Sequence, residues 1–113
     1  MDQGAEDLFS KIKYIQDTLF VISGKWKLPI LVSMYAGINR FREIQRNVPG
    51  LSSRVLSREL KTLEENSLIS RTVVSTSPMI VEYELTEYSC TLEPLAEIMA
   101  DWGKNHRKQV TGK

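Results

Sequence analysis

The spacing of the apolar residues changes twice along the chain, and these changes limit the folds that it can adopt. Over residues 8–22 the apolar positions recur every three or four residues, which is typical of an amphipathic helix. Over residues 69–85 a β-branched run and an apolar–acidic alternation replace that spacing, as in two strands. A helical spacing returns over residues 92–102. The sequence therefore predicts a mainly α-helical fold with a small β-hairpin, which belongs to the α+β class.

Turn-forming residues divide this pattern into elements. Gly37 ends a helix, Pro49-Gly50 makes a sharp break, and Ser52 is suited to be the N-cap of the next helix. Two helices joined by a short glycine-containing break and followed by a hairpin indicate a winged helix-turn-helix, and we expect residues 1–113 to form a single such domain. The predicted elements are helices over 5–22, 25–35, 41–48 and 52–66, with the helix-turn-helix over 41–66; a wing hairpin over 69–85, with strands 69–74 and 81–85 and a loop over 75–79; and a last helix over 88–107.

Composition excludes several classes of protein. A single cysteine, Cys90, and a single histidine, His106, cannot form an internal disulfide or a zinc site within one chain. The sequence shows no nucleophile with an oriented base, so we expect no catalysis, no metal and no cofactor. It has no run of about 18 apolar residues that could span a membrane, and its acidic start differs from a secretory signal, so we expect a cytoplasmic protein. We expect Cys90 to be a buried or half-buried small apolar residue.

The net charge of +1 conceals an uneven distribution. Residues 23–61 contain eight basic and two acidic residues, whereas residues 62–101 contain one basic and eight acidic residues. A basic centre in a nearly neutral chain predicts a local surface for a polyanion. The alternative is a solvated charged surface without a partner.

The helix over 52–66 is the strongest candidate for contact with DNA. Two of its leucines, Leu60 and Leu63, fall within about 40° of Leu56 around the helix axis. Its three cations, Arg54, Arg58 and Lys61, fall nearly opposite, with Ser57 on the flank. The N-terminal half of such a helix reaches base edges, and arginine can bind guanine through two hydrogen bonds. The alternative is a solvated helix whose cations pair with Glu59, Glu64 and Glu65.

Further candidates lie on the preceding helix and in the wing loop. Arginines of the third helix would meet the DNA backbone, and loop hydroxyls can bind phosphate, although the loop has no basic residue. Lys25 and Lys27 are candidate phosphate contacts or ordinary solvated lysines, and Trp26 is expected in the core. The predicted DNA-binding residues are Arg40, Arg42, Arg46, Ser52, Ser53, Arg54, Ser57, Arg58, Lys61, Thr76 and Ser77.

The first and last helices, over 5–22 and 88–107, carry apolar stripes that a small winged core cannot cover. We expect a second copy of the chain to cover them, because a two-fold dimer would also place two recognition helices about 34 Å apart on successive major grooves. The alternative is that both helices pack on each other within a monomer. The predicted dimer-interface residues are Leu8, Ile12, Ile15, Leu19, Leu92, Leu95, Met99 and Trp102.

Several motifs resemble those of a known family. They are Ser-Gly-Lys-Trp-Lys at 23–27, Gly37 with Arg-Phe-Arg-Glu-Ile at 40–44, Val-Pro-Gly-Leu-Ser at 48–52, Val55-Leu56 through Leu60, Leu63-Glu64, Arg71, Pro78 and Val-Glu-Tyr-Glu-Leu-Thr at 81–86. Over about residues 8–103 the chain resembles the HxlR-type transcription regulators. The resemblance implies a prokaryotic winged-helix DNA-binding protein, usually a homodimer, that controls transcription. Some members sense small reactive compounds, so an unidentified small-molecule effector is a candidate further partner.

The chain departs from the family pattern at two places. Many members carry a cysteine in the first helix near residues 14–17, and this chain has none there, so sensing through that thiol is not expected. The family often has a basic residue beside the wing proline, where this chain has Met79 and Ile80. We therefore expect a weaker contact between the wing and the minor groove.

These observations lead to two hypotheses of function. The first is a sequence-specific transcription regulator that binds double-stranded DNA as a homodimer, with the recognition helix in the major groove. The second is a winged-helix adaptor that binds an acidic protein partner, because a fold does not fix a function. The hypotheses differ in whether the protein prefers some DNA sequences over others.

Overall fold

The order of elements matches the predicted fold class. The computed structural model describes residues 2–112 and contains helices in the order expected, with one antiparallel hairpin between the last two long helices. The elements are α1 (Asp2–Ile22), α2 (Lys27–Tyr35), α3 (Phe41–Asn47), α4 (Ser53–Glu65), β1 (Ile69–Thr76), β2 (Met79–Leu85), a short 3₁₀ helix (Tyr88–Leu92) and α5 (Glu93–Thr111).

One hydrophobic core joins α2, α3, α4 and the start of the hairpin. Their large aliphatic side chains are almost fully buried, which confirms the leucine face predicted for the helix over 52–66. Each such side chain contributes about 1.5–3 kcal/mol through removal from water. The buried apolar residues of this core are Ile30, Leu31, Met34, Ile44, Val48, Leu51, Leu56, Leu60, Leu63, Leu68 and Ile69.

The break between α3 and α4 has the predicted chemistry. Val48 is extended, as expected for a residue before proline, so α3 ends at Asn47. Gly50 has φ +82°, a left-handed conformation that favours glycine. The Ser52 hydroxyl accepts a hydrogen bond from the Val55 backbone N–H at 3.2 Å, which confirms Ser52 as the N-cap of α4.

The hairpin strands are longer than the sequence predicts. The loop expected over 75–79 is wrong, because Ser75 pairs with Ile80 and Thr76 pairs with Met79 across the sheet. Only Ser77 and Pro78 lie between the strands. The register shifts between Val73 and Ser75, and this irregularity lets the pairing continue to the end of the wing.

The last helix begins later and ends later than predicted. Residues 88–92 form a 3₁₀ helix, and α5 begins at Glu93 because Pro94 has no N–H to continue an α-helical ladder backward. This tight turn buries Ser89 completely and leaves Cys90 exposed. The expectation that Cys90 is buried or half-buried is therefore wrong.

Helix α1 lies outside the core. Near its C-terminal end Ile22 is buried and Val21 packs partly against the core, whereas the apolar residues before them are exposed. α2 also starts two residues later than predicted, at Lys27, because Gly24 turns the chain with φ +96°. Within residues 2–112, none of the helices combines the length and the hydropathy needed to cross a bilayer.

Candidate nucleic-acid interface

Helix α4 separates its apolar and cationic residues as the sequence predicts. Leu56, Leu60 and Leu63 are at most 2% exposed and hold the helix on the core. The opposite face is exposed and presents Arg54, Arg58 and Lys61 to solvent. Within residues 2–112, the salt bridges involve none of these three cations. Their charges are therefore available to a polyanion.

The acidic residue in the middle of α4 turns away from this cationic face. Glu59 is only 8% exposed, and its Oε2 lies 3.2 Å from Lys27 Nζ. The same ammonium donates to the Ser23 carbonyl at 3.3 Å. Neither the phosphate contact nor the solvated lysine expected for Lys27 is therefore correct. Periodicity could not reveal this pair, because its members are 32 residues apart.

Helix α3 places further arginines beside α4. Arg42 and Arg46 are exposed. Arg40, just before α3, forms an ion pair with the wing: its Nη2 lies 3.0 Å from Glu82 Oε2. The Arg40 side chain is nevertheless 48% exposed, so it can still reach an additional anion.

The serines at the start of α4 have different surroundings. The Ser52 hydroxyl is used as the N-cap, whereas the Ser53 hydroxyl donates to Gln45 Oε1 at 3.2 Å. Gln45 also donates through Nε2 to the Leu51 carbonyl at 3.2 Å, so this glutamine of α3 supports the turn before α4. Gln45 was not among the predicted site residues. Its place four residues after Phe41, near the end of α3, is the local sign that it lies beside the turn. Ser57 is exposed beside the cationic face.

The wing offers hydroxyls and apolar side chains rather than cations at its end. Thr76 closes β1, Ser77 lies in the turn, and both are exposed. Met79 is exposed beside them. The hairpin's one arginine, Arg71, is exposed farther back, opposite Tyr83. The backbone N–H of Tyr83 donates to the Asn39 carbonyl at 2.9 Å and fixes the wing to the segment before α3.

The residues predicted for a dimer interface belong to α1, the 3₁₀ helix and α5, not to the elements that carry the cationic surface. Six of them are 46–66% exposed in the single chain: Leu8, Ile12, Ile15, Leu19, Met99 and Trp102. Leu92 and Leu95 are half-buried. Helices α1 and α5 line a groove of about 770 Å³ whose walls include Ile15, Leu19, Leu95 and Met99.

The remaining chemistry is structural. The Tyr35 hydroxyl donates to the Ser89 carbonyl at 2.7 Å, and burial, together with the nearby Glu93 and Cys90, raises the pKa of Tyr35. This tyrosine therefore stays protonated and keeps the 3₁₀ turn attached to α2. Among the described residues, no group of histidine, cysteine, aspartate and glutamate side chains could hold a metal ion.

A pair of helices, α3 and α4, has a supporting hairpin and, on its second helix, exposed cations that form no salt bridge within residues 2–112. These features define a winged helix-turn-helix DNA-binding protein of the kind that regulates transcription. The family model described as HxlR-like helix-turn-helix matches residues 21–111, and the chain belongs to this family. This result confirms the resemblance found in the motifs.

Known relatives agree with this assignment. The HTH-type transcriptional regulator YtcD of Bacillus subtilis is 39% identical over 98 residues, which cover 87% of this chain and 78% of YtcD. The crystal structure of YtcD superposes with a TM-score of 0.76 at 39% identity, covering 81% of this chain and 94% of that one. The redox regulator HypR in its reduced form gives a TM-score of 0.76 at 37% identity, covering 88% of this chain and 98% of that one.

Proposed function

We propose that this DNA-binding regulator is sequence-specific and acts as a homodimer, with α4 of each copy in a major groove. The observation that carries the proposal is the exposed cationic face of α4, which has a buried leucine back and no internal ion pairs within residues 2–112. Arg54 and Arg58 would read base edges, since each good bidentate contact with guanine contributes about 1–3 kcal/mol of discrimination. The protein would do this in the cytoplasm, where bacterial DNA lies.

The other exposed polar residues would position α4 rather than read sequence. Arg42 and Arg46 lie on α3 and would bind phosphates. Arg40 would also bind phosphate, because its side chain is 48% exposed although it is paired with Glu82. Ser52, Ser53 and Ser57, with Lys61, would contribute contacts along α4. Thr76 and Ser77 would hydrogen-bond phosphate from the wing, which would add little counterion release because they carry no charge.

The apolar stripes of α1 and α5 support the homodimer. Their large side chains are exposed in the single chain, and covering them would contribute about 25 cal/mol per Å² of apolar surface removed from water. A monomer with one short reading helix would bind weakly and with little selectivity. The groove between α1 and α5 is lined by several of these same side chains, so the second copy rather than a small-molecule effector would occupy it.

Selection of bound sites from a random DNA pool tests this function. We expect a palindromic site from the wild-type protein. The Arg54→Ala and Arg58→Ala variants should each lose about 5- to 150-fold of the preference for that site over random DNA, the equivalent of one lost base contact. Lys104→Ala, on the exposed side of α5, is the charge-matched control and should keep the preference. A flat preference across all sequences would instead favour a protein adaptor.

A further inference from the structure

Residues 23–27 run from the end of α1 to the first residue of α2 and form one of the family motifs, and the proposed function uses none of them for DNA contact. This segment contains two lysines and a tryptophan, and the structure directs two of these three side chains toward the helix-turn-helix. We propose that Lys27 is a positioning residue that couples the end of α1 to the recognition helix α4, and thereby fixes the spacing at which two recognition helices meet DNA. This inference rests on the proposed dimer.

The Lys27 ammonium contacts both the end of α1 and the middle of α4. It donates to the carbonyl of Ser23, the residue that follows the end of α1, at 3.3 Å. It also lies 3.2 Å from Oε2 and 3.5 Å from Oε1 of Glu59, in the middle of α4. One side chain therefore joins the end of one helix to the middle of another.

The contact between Lys27 and Glu59 is largely buried. The side chains of Lys27 and Glu59 are only 13% and 11% exposed, so solvent screens their charges poorly. Each charge would be costly without the other, because removal of one partner leaves a buried charge uncompensated. Lys27 is also the first residue of α2, where the helix dipole disfavours a cation, and the Glu59 carboxylate offsets that effect. The pair therefore holds one geometry more strongly than an exposed pair would.

The neighbouring Trp26 side chain also connects this segment to the helix-turn-helix. Trp26 lies against the turn before α4, so that a Cβ built on Gly50 would be 3.7 Å from Trp26 Cη2. Lys25 Nζ covers the ring of Trp26 at 4.9 Å from its centroid. The segment thus contacts α4 at its preceding turn through Trp26 and at its middle through Lys27.

The consequence follows from symmetry. If α1 contributes to the two-fold interface, the direction of α4 relative to the two-fold axis depends on how α1 joins the helix-turn-helix. That direction sets the distance between the two reading helices, and hence the half-site spacing that the dimer accepts. Lys27 touches no DNA in this arrangement, so it would affect spacing without affecting which bases are read.

Binding to a series of operators tests the coupling. The selected palindrome is compared with versions whose half-sites are moved one or two base pairs closer together or farther apart, and with a single half-site. Lys27→Met keeps the apolar stem and removes the ammonium. We expect the preference for the best spacing to fall by about fivefold or more, a typical size for coupling between sites, while the preference for the half-site sequence stays unchanged.

Three further variants separate coupling from general effects. Lys104→Met removes the same charge from the exposed surface of α5 and should keep the spacing preference. Lys27→Arg retains a cation that can bind both oxygens and should behave as wild type. Glu59→Gln, a neutral residue of the same shape, should relax the spacing preference as Lys27→Met does, and it serves as the second test if Lys27→Met does not fold. Circular dichroism shows whether each variant is folded.

The possible results are distinct. A folded Lys27→Met protein that keeps the wild-type spacing preference would overturn the coupling and leave the dimer intact. Equal losses in Lys27→Met and Lys104→Met would also overturn it, because the loss of any positive charge would then explain the effect. If both Lys27→Met and Glu59→Gln are unfolded, the pair is a stability element and the inference is rejected. A wild-type protein without any spacing preference would contradict the proposed dimer itself.

Discussion

Helices α4 and α1 are both amphipathic, but only α4 has its apolar side covered. The leucines of α4 are buried at 0–2% exposure, whereas Leu8, Ile15 and Leu19 of α1 are 53–60% exposed. The two helices therefore use the same kind of sequence pattern for different purposes. The stripe of α4 holds the helix to its own core, whereas the stripe of α1 stays exposed in the single chain, where the proposed dimer would cover it.

This difference shows why an apolar stripe alone does not identify the surface that covers it. Both stripes have the same three- or four-residue spacing, so periodicity predicts two helices of equal standing. What distinguishes them is packing: buried side chains of α2, α3 and the start of the hairpin share one core with the leucines of α4, and α1 meets that core near its end, at Val21. The comparison leads to three predictions, beginning with the largest expected effect.

Truncation of a leucine in α4 should destabilise the fold strongly. Leu63 is fully buried, so Leu63→Ala would leave a cavity and lower the free energy of unfolding by about 2–5 kcal/mol. Urea denaturation followed by circular dichroism measures this change. Leu8→Ala, in a half-exposed leucine of α1, is the matched control and should lower it by much less at protein concentrations where the chain is monomeric. Equal losses would mean that α1 is packed as tightly as α4.

Truncation of a leucine in α1 should weaken association instead. Leu19 is 54% exposed, so a partner could bury the exposed half of its side chain in each copy. That contribution is about 1 kcal/mol per copy, and its loss from both copies would raise the dimer dissociation constant about 30-fold for Leu19→Ala. Sedimentation equilibrium measures it, with Lys13→Ala on another side of α1 as the control. A wild-type protein that sediments only as a 12.9 kDa species would contradict the dimer.

The sequence predicts the parts of this molecule that depend on local chemistry. Helical spacing, the break at Pro49-Gly50 and the cap at Ser52 each act within a few residues, and the structure contains all of them. The strands extend beyond their predicted bounds, because Thr76 stands between two serines, which have little strand preference, and Ser75 and Thr76 pair only through their partners in β2. Their state depends on a neighbour that the local pattern does not encode.

The relations between distant residues were the least predictable. The ion pair between Lys27 and Glu59 joins two helices, and neither residue carries a local signal for the other. The exposure of Cys90 was also not predicted. The 3₁₀ turn before Pro94 buries Ser89, and the adjacent Cys90 then faces solvent. Of the candidate site, the exposure of the cationic face could be read from helical geometry, whereas the ion pair of Arg40 with Glu82 required the position of the wing.

The smallest predicted effect concerns the start of α4, where the hydrogen bond to the Ser52 cap adds to the stability that the buried leucines provide. Ser52→Ala removes the oxygen that accepts the Val55 N–H, so it should lower the free energy of unfolding by about 1 kcal/mol. Thermal denaturation followed by circular dichroism measures the shift. Ser53→Ala is the control, since that hydroxyl bonds to Gln45 in an exposed contact and caps nothing. If both variants melt alike, α4 depends on its buried leucines alone, and the contrast with α1 reduces to whether the stripe is covered.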